Sequence, residues 1–249
     1  MMGELEGFYA LWYREMKVFT REKSRIVSSL VTPLLWLVVF GGGLGSAVSL
    51  GGVNYQIFIF PGILAMTILF SSVFFGLYIV WDKKIDFFKE VLVAPLSRVT
   101  IFAGKMVGGS IDALLQGAAM LVLGVVLGIR YNLLTLVLSF VFMFVLASAL
   151  VSLGLIIGSN MESVEGFQLI ISFLVFPMFF FSGALFPIDN LPSYLLLFTV
   201  IDPVTYAVDG LRGLLLGSSQ LPIALNMAIL AGFAAVMIGI GTWSFKRLK

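Results

Sequence analysis

The chain is 249 residues long, 60% hydrophobic and 11% charged, against about 45–50% and about 25% in soluble domains, and is read as an integral membrane protein. That length supplies several spans of about 20 residues and leaves no room for an attached soluble catalytic domain. With no His and no Cys, imidazole bases, thiolate nucleophiles, disulfides and the usual zinc or haem sites are excluded, and the net charge of +2 is spread for topology rather than gathered into a nucleic-acid patch.

In residues 4–22, Leu5, Phe8, Tyr9, Trp12, Met16 and Phe19 fall within about 100° of helical arc, with Arg14, Lys17 and Arg21 opposite. This pattern predicts an interfacial helix lying in the membrane plane, serving as a lipid anchor alone or also as a contact for a partner. The segment lacks the short apolar core of a signal peptide, so the first span is expected to act as an uncleaved insertion signal. Uncharged runs, broken at Gly41-Gly42-Gly43-Leu44-Gly45 and Gly51-Gly52-Val53-Asn54, predict six spans near 26–44, 56–81, 106–129, 133–158, 166–186 and 222–244. Thirteen of the fifteen Lys and Arg residues lie in the first 25 residues, the 82–105 loop and the C-terminus; only Arg130 and Arg212 fall elsewhere. The positive-inside rule therefore predicts cytoplasmic termini and a cytoplasmic 82–105 loop.

That loop predicts a short helix over 82–93, stopped by Pro95, and a second helix capped by Ser97 that runs into the third span. The result is a stiff elbow with exposed Phe87, Phe88 and Leu92, suited to docking or to dipping into lipid. Asp112 is the one acid inside a predicted span. Pairing with a basic residue at the interface, a substrate or proton role, and a contact across a dimer are all open to it. After the fifth span, Asp202 and Pro203 predict an N-cap and first helical residue, with Gly217 as the stop. The two apolar pieces there, about 9 and 14 residues long, are too short to span. They predict re-entrant helices or a surface lid, with Asp209 and Arg212 paired three residues apart. The Gly124/Gly128 and Gly154/Gly158 spacings permit close helix packing, a weak signal among 26 glycines.

The run from Phe181 to Pro192, continued by Asp202 to Gly217, resembles the C-terminal signature of ABC-2 type transporter permeases, in the branch of drug-resistance and nodulation-type exporters. Glu90 to Arg98, followed by Gly104-Lys105, resembles that family's other common stretch. The resemblance implies an all-α polytopic fold of six transmembrane helices with an N-terminal interfacial helix and re-entrant helices between the fifth and sixth spans. Residues 1–249 would be a single transmembrane domain in the cell membrane. It also implies a partnership with a second copy, two cytoplasmic ATP-binding subunits and membrane lipid, moving a hydrophobic drug, lipid or lipid-linked glycan outward. The ATPase contacts so implied are Asp82, Phe87, Phe88, Glu90, Pro95, Leu96, Ser97 and Arg98 in the elbow, and Glu162 in the next inner loop. The interfacial helix would add Trp12, Arg14, Lys17 and Arg21. The outer segment 187–217, with Pro187, Asp189, Pro192, Asp202, Pro203, Tyr206, Asp209 and Arg212, would shape the exit.

A Gly-x-x-x-x-Gly-Lys-Ser/Thr phosphate loop is missing: Val99 stands where its first glycine belongs and Met106 where its hydroxyl belongs. ATP and Mg are therefore expected on a partner, with no cofactor in this chain. The competing reading is an ion-gradient-driven secondary transporter or channel. Against it stand a single off-centre acid and no internal repeat. An intramembrane protease would need a histidine or two facing acids.

Overall fold

The computed structural model describes residues 3–45, 54–188 and 192–248. Their regular structure is helical, in eleven helices: α1 Glu4–Arg21, α2 Lys23–Leu44, α3 Tyr55–Phe74, α4 Leu77–Lys84, α5 Phe87–Val93, α6 Arg98–Val126, α7 Leu133–Asn160, α8 Val164–Phe181, α9 Ser193–Ile201, α10 Pro203–Leu216 and α11 Ile223–Lys246. Capping side chains set many of the starts. Asn54 accepts from Gln56 N, Ser97 from Thr100 N, Asn132 from Thr135 N, Ser163 from Gly166 N and Asp202 from Val204 N. Each satisfies one of the amides that a helix start leaves without an intrahelical partner.

Among the described residues five helices are long and apolar enough to cross a membrane: the α3–α4 unit Tyr55–Lys84, α6, α7, α8 and α11. They match the second to sixth predicted spans. The first, α2, is a 22-residue helix whose apolar stretch is Val27–Gly43. That stretch lies at the short end of the roughly 17–25 residues a span needs. The 46–53 break after it lies outside the described residues. α8 ends at Phe181, short of the predicted 186, because Ser182 and Gly183 turn the chain, Gly183 at φ +70°. α9 and α10 meet at a 79° bend at Asp202, in place of a straight span.

α3 is the centre of the bundle, with Ile59, Phe60, Ile63, Leu64, Ile68 and Leu69 fully buried against α2, α6, α7 and α10. By contrast α8 and α11 leave Phe173, Val236 and Trp243 exposed, as lipid-facing helices do. Where α3 passes into α4, Gly76 lies against the backbone of Gly154 on α7, Gly154 against that of Val73, and Gly158 against that of Gly76. A Cβ at any of the three would stand inside the facing main chain. The Gly154/Gly158 spacing is thus a helix seam. Gly124/Gly128 is not: Gly124 makes room for Phe60 and Tyr131, and Gly128, at φ +85°, ends a turn with nothing near it.

α1, the α4–α5 elbow, the start of α6 and the ends of α7 and α11 share one end of the bundle, around an apolar cluster that includes Leu11, Ile79, Phe88, Phe102, Leu155 and Phe245. The first helix and the end of the last are therefore on the side that carries the Lys- and Arg-rich segments.

Candidate functional site

α1 seats on α6 through a strip of glycines. Leu11 lies against Gly104, Glu15 against Gly108, and Leu96 covers Gly7. The buried face of α1 is Gly7, Leu11, Glu15 and Phe19, spaced four apart, while Leu5 and Tyr9 stay exposed. Of the residues expected opposite the apolar arc, Lys17 and Arg21 are exposed, but Arg14 turns inward. Its Nη2 donates to Asp82 Oδ1 at 2.8 Å, its Nη1 to Glu15 Oε1 at 2.8 Å, and its guanidinium lies 4.1 Å from the centre of the Phe87 ring. Trp12 is half-buried.

Lys105, fully buried on α6, completes the cluster: its Nζ donates to Asp82 Oδ2 at 2.8 Å and to Glu15 Oε1 at 3.2 Å. Two cations and two acids thus join α1, α4 and α6, with Glu15, Asp82 and Lys105 buried and Arg14 half-buried at the rim. Charges survive such burial only when each is paired, and here each acid touches both cations. The sequence did not single out Glu15 or Lys105. An acid on the Gly7, Leu11, Phe19 face of α1 was the available signal for Glu15.

The elbow differs from its expected form in two respects. Its first helix does not begin at residue 82, because α4 carries the second span on to Lys84; the chain turns at Ile85 and Asp86, with Asp86 at φ 58°, before α5. Left-handed backbone is tolerated by aspartate, and Lys89 pairs with its carboxylate at 2.7 Å. Second, Phe88 is buried against Phe245, and Phe87 and Leu92 are half-buried, so the expected exposed aromatics are packing residues. They are drawn in because α11 returns to the same end and offers them an apolar partner. Asp82 is likewise a buried strut. Glu90, Pro95 and Ser97 are exposed, as is Glu162, and Leu96 and Arg98 are half-buried. Arg98 Nη1 donates to Leu92 O at 3.0 Å, closing the elbow's turn.

Ser97 caps α6 as predicted, and the Ser97 amide and the Thr100 hydroxyl both donate to Glu4. These bonds, the one from Thr100 first, hold the Glu4 carboxyl below its ordinary value. Lys83 donates to the carbonyls of Gly158, Ser159 and Met161 and so ties α4 to the C-terminal end of α7, beside Glu162. A cation is favoured there because the last carbonyls of a helix lack intrahelical donors.

At the other end, Asp202 and Pro203 start α10 and Gly217 ends it in left-handed backbone, as predicted. The Asp209–Arg212 ion pair does not form. Asp209 accepts from Gln220 N, Leu221 N and Asn226 Nδ2 at 2.7–2.9 Å. Arg212 donates to Gly183 O at 2.8 Å and lies 4.3 Å from the centre of the Phe58 ring. Their backbone spacing suits a pair, but tertiary partners take both side chains. Tyr206 donates to Val200 O across the bend at 2.7 Å. Pro187 and Pro203 are half-buried and Pro192 is exposed; Asp189 lies outside the described residues. α10 is buried along most of its length, whereas α9 exposes Tyr194, Leu197 and Ile201.

Two further polar features lie inside the bundle. Asp112, buried on α6, accepts from Gln116 Nε2 at 3.1 Å. A cavity of about 740 Å³ lies among α1, α2, α3, α4 and α6, toward the basic end. Among the described residues no group of three or more acids could hold a metal ion. The paired charges are structural ties that join α1, α4 and α6.

Comparison with known proteins agrees. The ABC-2 type transporter family matches residues 6–216. The chain is 31% identical to the transport permease ycf38 of Cyanophora paradoxa, over 87% of this chain and 77% of that protein. It is 28% identical to the inner membrane transport permease YadH of Escherichia coli K12, over 90% and 88%. It is 24% identical to nodulation protein J of Rhizobium leguminosarum bv. viciae, over 97% and 94%. A helical bundle with five long apolar helices and a bent pair, matched along most of its length, belongs to the ABC-2 type transporter family and is a multi-pass membrane component of a transporter.

Proposed function

We propose that the chain is the permease subunit of an ATP-driven exporter, forming a single transmembrane domain with both termini and the elbow in the cytoplasm. Two copies pair with two cytoplasmic ATP-binding subunits, which carry the ATP and Mg, and move a hydrophobic drug, lipid or lipid-linked glycan outward across the cell membrane. One observation carries this reading: the ion-pair cluster of half-buried Arg14 with buried Glu15, Asp82 and Lys105 fuses α1 and the elbow to α6. A push on the exposed elbow residues Glu90, Pro95 and Ser97, with Glu162 beside them, is thereby handed to a 29-residue helix running through the membrane. Trp12, Lys17 and Arg21 hold α1 at the lipid headgroups, and the α9–α10 bend shapes the outer exit.

The test is purification from the native membrane in mild detergent, with identification of co-eluting chains and an assay of vanadate-sensitive ATP hydrolysis. A stoichiometric soluble subunit bearing a phosphate loop is the expected result. A chain that elutes alone and transports without nucleotide overturns the reading in favour of a gradient-driven carrier.

A further inference from the structure

The cavity of about 740 Å³ falls in the range of small-molecule sites, about 300–1,000 Å³. Its walls differ in chemistry. α3 and α4 line it with Phe70, Phe74, Tyr78 and Trp81, aromatic groups on successive turns. α2 faces them with Ser28, Ser29 and Thr32. Among the described residues that line it none is Lys or Arg, and Glu22 is an acid, so those residues offer a phosphate group no counter-cation.

Gln116, only 2% exposed, reaches this cavity from α6. Its Nε2 donates to Ser71 Oγ at 2.7 Å and to Asp112 Oδ1 at 3.1 Å, which uses both amide hydrogens. With both amide hydrogens so used, the carbonyl is the group left over. That oxygen, Oε1, is buried and has no donor among the described residues. A buried acceptor without a donor is costly, and a ligand that brings one gains both affinity and selectivity.

We propose that the cavity binds a neutral amphiphile, with a hydroxyl or amide N–H donated to Gln116 Oε1 and an apolar body lying along Phe70, Phe74 and Trp81. Calling this molecule the cargo rests on the exporter reading; its binding does not. Gln116 is the residue that selects the polar group, held in place by Ser71 and Asp112.

The permease, with whatever subunits co-purify, is placed in nanodiscs and irradiated with a photoreactive monoacylglycerol. A parallel sample receives a photoreactive lysophosphatidate with the same acyl chain, and labelled peptides are located by mass spectrometry. Saturable monoacylglycerol labelling within 66–81 and around Gln116 is expected, with the lysophosphatidate weaker by about tenfold. Gln116→Leu should weaken labelling by a similar factor. Thr32→Trp, which fills the cavity from α2 and leaves the Gln116 bonds intact, should remove it and so separates ligand loss from misfolding. Equal labelling by the two lipids, labelling outside these segments, or labelling that either substitution leaves undiminished overturns the proposal. A preparation that labels as expected but lacks a motor subunit contradicts the exporter reading alone.

Discussion

Lys105 shows at the scale of a single residue how burial changes the worth of a charge. Removing one partner from a buried ion pair costs about 3–5 kcal/mol, whereas an exposed pair is worth about 0.2–1 kcal/mol. Lys105→Met should therefore lower the thermal unfolding midpoint clearly. The loss should fall toward the lower figure, because Arg14 still touches both Glu15 and Asp82. Lys89→Met, which breaks only the exposed pair with Asp86, should barely move that midpoint, and equal shifts would contradict the strut. Asp209→Ala removes the acceptor of the Gln220 and Leu221 amides, so hydrogen exchange at those two amides should rise at least about tenfold; unchanged exchange would deny Asp209 its tie to the α10–α11 loop. Residue type and local spacing made Ser97, Asp202, Pro203 and Gly217 legible, because caps and turns are decided within a few residues. The Asp209–Arg212 pairing was not legible: Asn226 and Gly183, which take the two side chains, are distant in sequence.

Among the elements, α1 was readable as a helix but not in its attachment. An amphipathic arc gives the lipid-facing side, while the protein-facing side follows from the glycines at 104 and 108 on a helix about ninety residues away. Gly108→Leu should lift α1 off α6. Since the chain has no cysteine, Leu11→Cys can report this as a unique thiol: closed to maleimide in the parent, open in the Gly108→Leu background. A thiol that stays closed would mean α1 is held by other contacts. The start of α1 should also respond to pH. Glu4 has a folded value below its ordinary 4.5, so its tie to Ser97 and Thr100 is fully present above that value. The contribution is lost as pH falls through the lowered folded value. Spin labels at Leu5 and Val99 should separate on that descent, and in Glu4→Gln the separation should no longer depend on pH in this range.

Taken as a whole, the molecule was most legible where composition alone decides: a chain this apolar had to be a helical membrane bundle, and charge gaps located most spans to within a few residues. What composition could not give was where neighbouring helices touch backbone to backbone, or that Phe88 would find Phe245. Membrane orientation is testable directly. Arg130→Cys in intact cells should react with an impermeant maleimide and Lys89→Cys should not, both sites being exposed on the protein; the reverse pattern would invert the proposed topology. The glycine seam of Gly76, Gly154 and Gly158 bears on how such a molecule can move. Side chains that interdigitate can re-pack and let two helices drift apart or together by fractions of an ångström. Main chain resting on main chain has no such compliance, so α3–α4 and α7 are held at a fixed distance at that point. Lys83 clamps the same two elements about two turns beyond Gly76, so under the proposed exporter reading displacement delivered to the elbow would become rotation about that contact, in the manner of a pivot, with its largest sweep at the far ends of the helices, beside the α9–α10 bend.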